Sequence, residues 1–250
     1  MAATDYEKLY SGEHLKKIDP SWSFRTWSYR HTFVAKMKYI IAYVSSFPKD
    51  IKILDAGCGQ GLLVEEFKRQ GFDVVGIDAF YDSEHVRCES IMDSSFANNT
   101  FDLVLCLDVI EHIQLNEQEK VIAELTRVCK PGGEVLWSIP NMGNLSSRVL
   151  FFFTGNLLRT ANAKAYVLGK PGKDGFELYH PGDRPIKEYY HLLQAHSVIV
   201  KKKGISAEIP VLFQLTQIWP QYFAWLYFLL KPFQVFSGWC FNVIVHTKKK

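Results

Sequence analysis

The sequence predicts an α/β fold in which a doubly wound, mostly parallel sheet carries helices on both faces. Short apolar runs alternate with segments whose apolar residues recur at helical spacing, which is typical of strand and helix units that follow one another. The run Leu103–Leu107 is continuously apolar, as expected of a strand buried on both faces of a parallel sheet. At 250 residues and 48% hydrophobic content, the chain is long enough to bury one such core.

The first half of the chain contains the elements of this sheet in order. Residues 25–47 have apolar side chains at helical spacing and end at Ser45-Ser46-Phe47-Pro48, which predicts a helix beside the first strand. The other predicted elements are strand 51–54, a helix that stops at Gly71, strand 72–77, a weaker element at 86–93, strand 103–107, a helix from about Glu117, a break at 130–133 and strand 134–140. Ligands of such sheets bind beyond the carboxyl ends of the strands.

The second half of the chain is predicted to add a substrate side to this core. Residues 145–153 are apolar and indicate a helix, and residues 154–184 form a long loop rich in glycine, proline and lysine. Residues 185–203 have helical apolar spacing with Gly204 as the stop, although a strand through 198–200 is an alternative interpretation. Residues 239–245 are predicted to return as the last strand.

A glycine turn follows the first strand. Asp55 precedes three glycines at alternate positions, Gly57, Gly59 and Gly61, and a helical apolar pattern begins at Leu62. Glycine lets the backbone turn sharply and approach a ligand, and this arrangement predicts a nucleotide-type site. A dinucleotide fingerprint needs its third glycine at position 62, and the Asp55 carboxylate would repel a phosphate. The same carboxylate suits a ligand that carries an ammonium group.

The segment Asp55-Ala-Gly-Cys-Gly-Gln-Gly61 resembles the first motif of class I S-adenosylmethionine (SAM) dependent methyltransferases, and the order of elements from Ile51 to Asn141 resembles the same family. The resemblance implies a Rossmann-like fold with a seven-stranded sheet and SAM as the cofactor. It implies SAM contacts along the turn, from Asp55, Gly57, Cys58, Gly59 and Gly61. Arg30, in the segment before the first strand, is the candidate for the carboxylate of the cofactor.

Further SAM contacts are expected at the ends of the next strands. Asp78 closes the second strand about 20 residues beyond the glycines, where an acid can accept hydrogen bonds from both ribose hydroxyls. In the family an acid usually lies near the adenine amino group, whereas this chain has Ser90 there, and Glu89 or Asp93 are substitutes. The remaining predicted SAM contacts are Ala79, the backbone amides around Ser90 and Ile91, and the strand-end residues Leu107 and Asp108.

The segment Asp108-Val-Ile-Glu-His112 resembles the D/E-x-x-E-H segment of a branch that includes the ubiquinone-pathway O-methyltransferases and the small-RNA 2′-O-methyltransferases. In that branch a Glu-His pair holds a divalent metal beside the acceptor hydroxyl, so Asp108, Glu111, His112 and the distant His180 are candidate metal ligands. His112 acting as a base or orienter without metal is a second hypothesis, with Glu111 and His180 as further catalytic candidates. A third is a capping box, with Asp108 and Glu111 binding the orphan N–H groups of the next helix.

Residues 211–230 carry no charge and are rich in aromatic side chains. A proline and three glutamines argue against a membrane span, and the pattern favours a helix at a membrane interface, with the terminal lysines drawn to anionic lipid. A hydrophobic lid or a dimer face is the alternative. Both interpretations favour an apolar or lipid-linked acceptor.

These observations predict a SAM-dependent methyltransferase that acts on a small or lipid-linked acceptor, at a hydroxyl oxygen. An RNA 2′-O-methyltransferase is an alternative, but the formal charge of +3 and the absence of a lysine stripe with interleaved aromatics do not favour nucleic acid. A further alternative is a SAM-binding module that lies at a membrane and has no catalytic activity. Cysteines without a C-x-x-C pair and a polar, acid-containing start predict a cytoplasmic protein that is associated with a membrane if 211–238 meets one.

We predict one methyltransferase domain over residues 1–250. Its predicted parts are an N-terminal helical cap (1–50), a SAM-binding core (51–141), a substrate-side insertion and helix (142–210), an apolar segment (211–238) and a last strand with a basic tail (239–250).

Overall fold

The computed structural model describes residues 23–25, 27, 29–155, 181–212, 215–216, 219–223 and 225–250. Its strands are β1 (Lys52–Ala56), β2 (Asp73–Asp78), β3 (Val86–Cys88), β4 (Phe101–Leu107), β5 (Cys129–Pro140), β6 (Ser197–Ala207) and β7 (Cys240–Lys249). Its helices are α1 (Arg30–Val44), α2 (Leu62–Arg69), α3 (Gln118–Val128), α4 (Leu145–Thr154), α5 (Ile186–His196), α6 (Pro220–Phe223) and α7 (Leu226–Leu230). The predicted segment before residue 23 and most of the predicted loop 154–184 lie outside the described residues.

The strands form one seven-stranded sheet in the order β3-β2-β1-β4-β5-β7-β6. The first five strands are parallel to their neighbours, and β7 runs antiparallel between β5 and β6. This arrangement confirms the predicted doubly wound, mostly parallel sheet. The strand order reverses at β1, which lies between β2 and β4, and ligands of such folds bind in the crevice at this switch point.

A hydrophobic core lies on each face of the sheet. On one face α3 places Val121, Ile122 and Leu125 against the strands, all of them fully buried. On the other face α1 and α2 contribute Ile40 and Phe67, which are equally buried. Because both faces are covered, the continuously apolar sequence of β4 is explained by its central position.

The predicted helix over 185–203 is too long, and the alternative strand is confirmed. Helix α5 ends at His196 and β6 begins at Ser197, where it pairs with β7 along its length. Side chains of Val198 to Val200 alternate across a strand as readily as they fit a helix face, and pairing with β7 decides between the two. Gly204 therefore lies within a strand and does not end a helix. Close packing explains the glycine at this position, because a Cβ built on it would lie 2.7 Å from the carbonyl oxygen of Gln234.

The predicted break at 130–133 is instead part of β5. Gly132 has a φ of +73°, and the pairing of β5 with β4 shifts register between Phe101 and Leu103. The proline and glycines thus produce a bulge within a long strand and do not end it.

The described residues of the apolar segment 211–230 include short helical pieces, whereas one interfacial helix is predicted. Helices α6 and α7 are followed by 3-10 turns at Lys231–Val235 and Ser237–Trp239, and then by β7 as the confirmed last strand. In the part of the chain that the structure describes, no helix is both long and apolar enough to cross a membrane.

The terminal lysines do not lie beside this apolar segment. Strand β7 begins next to Pro140, at the carboxyl edge of the parallel strands, and runs to Lys248, which pairs with Glu134. Six residues of strand separate these two positions on β5, a distance of about 20 Å. The Lys248 ammonium lies 3.4 Å from the Glu134 carboxylate at the far edge, and the attraction of the terminal lysines to anionic lipid stays a prediction.

Candidate active site

The glycine turn between β1 and α2 is packed tightly at two of its glycines. Gly57, Gly59 and Gly61 have φ values of +75°, +55° and +82°, a region that favours glycine. A Cβ on Gly57 would lie 2.6 Å from Cγ2 of Val109, and one on Gly61 would lie 2.6 Å from Cγ2 of Val86. Among the described atoms, none comes within 4 Å of the Cβ position of Gly59. The turn therefore leaves its backbone open to a ligand at Gly59.

Two acids flank this turn at the carboxyl ends of β1 and β2. Asp55 is 4% exposed, and burial, followed by the negative charge of Asp78, raises its pKa to about 7. The Asp78 carboxylate accepts hydrogen bonds from the N–H groups of Gly59 at 2.8 Å and Phe80 at 2.9 Å. The structure thus places both predicted acids against the glycine turn, and Asp78 also holds the turn in shape.

The predicted adenine contacts lie next along the same edge. Ala79 is exposed after β2, as is the neighbouring Phe80. Ser90 is exposed, and its hydroxyl accepts a hydrogen bond from the Met92 N–H at 3.2 Å, whereas Ile91 is buried. The Glu89 carboxylate accepts from the N–H of Ser95, so this substitute for the missing acid is directed into its own loop.

Asp108 directly follows β4 and is held by side chains from three elements. One carboxylate oxygen contacts the ammonium of Lys36 on α1, and the other accepts from the hydroxyl of Ser138 at 2.5 Å and the amide of Asn242 at 2.9 Å. Its φ of +55° is uncommon for a residue with a side chain, although aspartate tolerates it better than most. The predicted SAM contact at Asp108 stays a prediction.

The capping-box interpretation of Asp108 and Glu111 is wrong. The residues after Asp108 form a short 3-10 turn over Ile110–His112, and within the described part of the chain no side chain caps its N terminus. Strand-to-turn geometry at Asp108 directs the carboxylate towards Lys36, Ser138 and Asn242 instead.

Lys36 is the site residue that sequence reasoning missed. It is 2% exposed, and its ammonium also donates to the Tyr29 hydroxyl at 3.0 Å. Burial lowers the pKa of Lys36 to about 7, and the nearby Glu111 raises it. A sequence signal was present, because Lys36 lies three residues after Phe33 and four before Ile40, on the apolar face of α1.

Glu111 and His112 are neighbours in sequence with opposite environments. Glu111 is 1% exposed, and one of its carboxylate oxygens has no hydrogen-bond partner among the residues that the structure describes. Burial raises the pKa of Glu111 to about 8, with a further increase from Asp183, while a backbone hydrogen bond and Lys36 lower it. His112 is exposed. At neutral pH, therefore, Glu111 is a buried neutral acid, and the imidazole of His112 is exposed to solvent.

The predicted metal site is not assembled in the described residues. Across the described ranges, no three His, Cys, Asp or Glu side chains come together in a way that could hold a metal ion. Asp108 contacts the Lys36 ammonium, Glu111 is buried and His112 is exposed, so three of the four candidate ligands have different surroundings. The fourth, His180, lies outside the described residues.

The loop before α5 is fastened to the 3-10 turn by a polar network. The N–H of Gly182 donates to the Glu111 carbonyl at 3.0 Å, and the Gln118 amide donates to the Gly182 carbonyl at 2.7 Å. Arg184 donates to the Gln118 side chain at 2.6 Å and to the Leu115 carbonyl at 2.7 Å. Arg184 thus supports the turn that carries Glu111 and His112.

Arg30, the candidate for the cofactor carboxylate, begins α1. Its guanidinium lies 5.6 Å from the ring centre of Phe24, and the side chain is partly exposed. Its predicted role stays a prediction.

Comparisons with known proteins agree with this geometry. A family model described as a methyltransferase domain matches residues 27–163, which is more than half of the chain. The ubiquinone biosynthesis O-methyltransferase of Methylococcus capsulatus is 33% identical over 123 residues, which cover 42% of this chain and 49% of that protein. The protein of the same name from Rickettsia canadensis is 29% identical over 164 residues, or 56% of this chain and 66% of that one.

Solved structures share the fold. A SAM-dependent methyltransferase of Methanosarcina mazei is 18% identical and superposes with a TM-score of 0.53 over 83% of this chain and 96% of its own. The chain spans about half of the length of the first curated relative and 66% of the second.

The buried Glu111 generates a testable pH dependence. The folded chain binds the Glu111 proton more tightly than the unfolded chain, so the stabilisation is complete below pH 4.5 and is lost as pH rises to about 8. The free energy of unfolding of the wild type should therefore fall relative to that of Glu111→Gln over this interval, by at most about 1.4 kcal/mol per pH unit. Chemical denaturation between about pH 5 and 8.5 measures this.

Glu65→Gln, at an exposed position of α2, is the matched control and should follow the wild type at every pH. Parallel stability curves for the wild type and Glu111→Gln would contradict the assignment of a neutral buried acid.

Proposed function

Because the chain belongs to the class I SAM-dependent methyltransferases, we propose that it transfers a methyl group from SAM to a hydroxyl oxygen of a small or lipid-linked acceptor. The observation that carries this proposal is the pair of acids, Asp55 and Asp78, on either side of a glycine turn that is open at Gly59. An alternating glycine turn between two carboxylates suits a nucleoside that carries an ammonium group and a free ribose.

The residues around the turn fit the parts of such a cofactor. Asp55 would bind the ammonium group, and the cation would favour the charged carboxylate that burial disfavours. Asp78 would accept hydrogen bonds from the ribose hydroxyls, while Ala79, Ser90 and Ile91 would border the adenine. Arg30 would approach the carboxylate of the cofactor. SAM supplies a methyl group already activated on a sulfonium.

The chemistry left to the protein is positioning and proton transfer. The acceptor oxygen forms a bond to the methyl carbon as the carbon–sulfur bond breaks, and the bonding pair stays on sulfur. Holding the two reactants in line at about 3 Å supplies much of the rate. The proton of the acceptor hydroxyl must leave, and we assign its removal to His112, which is exposed at the carboxyl edge of the sheet. A base in this position contributes about 100-fold to 10,000-fold.

The choice of oxygen is supported by the relatives, two of which are named O-methyltransferases. An RNA acceptor is the second candidate, because the Glu-His segment resembles that of RNA 2′-O-methyltransferases. Two of the three lysines of β6 lie beside aromatic rings of the fold: Lys201 lies 5.4 Å from the ring centre of Tyr39, and Lys202 lies 3.8 Å from that of Tyr190. This placement favours the small or lipid-linked acceptor.

The partner that best fits the apolar segment is a membrane surface. Trp219, Tyr222, Trp225, Phe228 and Val235 are exposed, with Phe228 at 78%. Residues 209–250 contain no Asp or Glu, which removes the repulsion that an anionic bilayer would exert on an acidic surface. Trp and Tyr side chains favour the headgroup region. The segment ends at Gly238, whose carbonyl accepts from the Asn141 amide at 3.2 Å, just beyond β5. A lipid-linked acceptor would therefore arrive at the site edge of the sheet.

Replacing Asp78 tests the cofactor site. Asp78→Ala should weaken SAM binding by about 1–3 kcal/mol, because it removes acceptors for the ribose hydroxyls and releases the Gly59 N–H. Isothermal calorimetry with SAM measures the change. Asp73→Ala, an exposed aspartate at the other end of β2, should leave the affinity unchanged. Equal affinity in Asp78→Ala and the wild type would rule out the ribose role.

Replacing His112 tests the chemical step. In cell extracts supplied with SAM that carries a trideuteriomethyl group, mass spectrometry should find a labelled small molecule or lipid. His112→Gln should lower its formation about 100-fold or more, with SAM affinity retained. His191→Gln, at an exposed position of α5, is the control and should keep full turnover.

Unchanged turnover in His112→Gln would exclude the base. Label found in RNA would support the second candidate, and SAM binding without any labelled product would indicate a non-catalytic module.

Vesicle binding tests the membrane partner. Sedimentation with vesicles of phosphatidylcholine and phosphatidylglycerol should show binding that weakens at least about tenfold in Trp225→Asp/Phe228→Asp, since each ring loses about 1.5–3 kcal/mol of apolar burial. Val198→Asp, exposed on β6 opposite Lys248 at the far edge, should bind as the wild type does. A dimer in solution that dissociates in the double variant, without vesicle binding by any form, would identify a dimer face instead.

A further inference from the structure

A buried cation connects α1 to the end of β4. The ammonium of Lys36 contacts one carboxylate oxygen of Asp108 and lies 3.0 Å from the Tyr29 hydroxyl. The other carboxylate oxygen accepts from Ser138 on β5 and Asn242 on β7. Asp108 is thus joined by side-chain contacts to three elements that are distant in sequence.

These contacts hold an unusual backbone conformation. Asp108 has a φ of +55°, and its N–H donates to the Ser138 carbonyl at 3.0 Å. A residue with a side chain keeps such a conformation where its surroundings hold it there. The Lys36 ammonium adds a charge-assisted contact to these restraints.

The turn at Asp108 brings the next residue against the glycine turn. Cγ2 and Cγ1 of Val109 lie 2.6 and 2.8 Å from the position that a Cβ on Gly57 would occupy. The N–H groups of Gly57 and Cys58 donate to the Ile77 carbonyl at 2.8 and 3.1 Å. Val109 therefore forms one wall of the glycine turn, and the β2 backbone forms another.

We propose that Lys36 is a positioning residue for the SAM site: through Asp108 it holds Val109 against Gly57 and keeps the glycine turn in the conformation that receives the cofactor. The inference rests on the proposed function, since SAM is the ligand concerned. A buried ion pair with a purely structural role would stabilise the fold without coupling to Val109.

A double-mutant cycle separates these two roles. SAM affinity is measured by calorimetry for the wild type, Lys36→Met, Val109→Ala and the double variant. In the wild-type background, Lys36→Met should weaken SAM binding at least about tenfold. In the Val109→Ala background the same substitution should weaken it less than about threefold, because the Val109 side chain that Lys36 positions is already removed. Lys130→Met is the matched control, since it breaks a lysine–aspartate pair of 2.7 Å with Asp102 at the opposite edge of the sheet. Its affinity should stay within about twofold of the wild type.

Hydrogen exchange gives a second measurement that needs no SAM. The amides of Gly57 and Cys58 should exchange faster in Lys36→Met than in the wild type or Lys130→Met. If Lys36→Met does not fold, Tyr29→Phe replaces it in both experiments. This variant removes the hydroxyl that accepts from Lys36, and it should lower affinity about threefold in the wild-type background and not in Val109→Ala.

Equal losses in both backgrounds, or unchanged affinity together with unchanged exchange of the two amides, would overturn the inference. The titration of the wild type distinguishes the two proposals: a wild type that does not bind SAM overturns the proposed function, whereas a binding wild type with an additive cycle overturns the role of Lys36 alone.

Discussion

The close packing of Gly57 and Gly61, on either side of the open Gly59, is the constraint on which the site depends. Val109 occupies the place of a side chain at Gly57, and Val86 does the same at Gly61. These contacts place the residue two positions after β4 and the first residue of β3 against the turn that follows β1. Asp55 and Asp78 lie at the ends of the neighbouring strands β1 and β2. They are close enough there for the negative charge of Asp78 to raise the pKa of Asp55.

Burial and pairing act in opposite directions on the charges beneath this turn. Burial alone lowers the pKa of Lys36 and raises that of Glu111, which favours neutral forms of both. Asp108 changes the balance for Lys36, because its carboxylate also accepts from Ser138 and Asn242, and hydrogen bonds to a carboxylate favour its charged form. We therefore regard Lys36 and Asp108 as an ion pair and Glu111 as neutral. Breaking a fully buried pair on one side typically costs about 3–5 kcal/mol, and the cost is lower here because the Asp108 side chain is 30% exposed.

Local patterns in the sequence were sufficient for the centre of the fold. The apolar run of β4 and the glycine turn depend on neighbours in sequence, and both were predicted correctly. The end of α5 was not, because Val198 to Val200 fit either period, and only the pairing with β7, in which Val198 lies opposite Lys248, decides their structure. Lys36 was missed for a similar reason: its partner Asp108 is 72 positions away. A lysine on an apolar helix face indicates a buried partner without identifying it.

The two ends of β7 lie at opposite edges of the sheet, and this placement is relevant to the class of acceptor. The strand begins beside the exposed aromatic segment at the site edge and ends in lysines at the far edge, about 20 Å away. An RNA acceptor needs positive charge around the site, yet Lys248 pairs with Glu134, and the Lys249 ammonium contacts the Asn99 side chain at 2.7 Å. The surface next to the site is instead formed by an apolar segment whose sequence contains no Asp or Glu. A membrane surface that binds this segment would lie at the edge of the sheet that carries Asp55, Asp78 and His112. A lipid-linked acceptor requires this orientation.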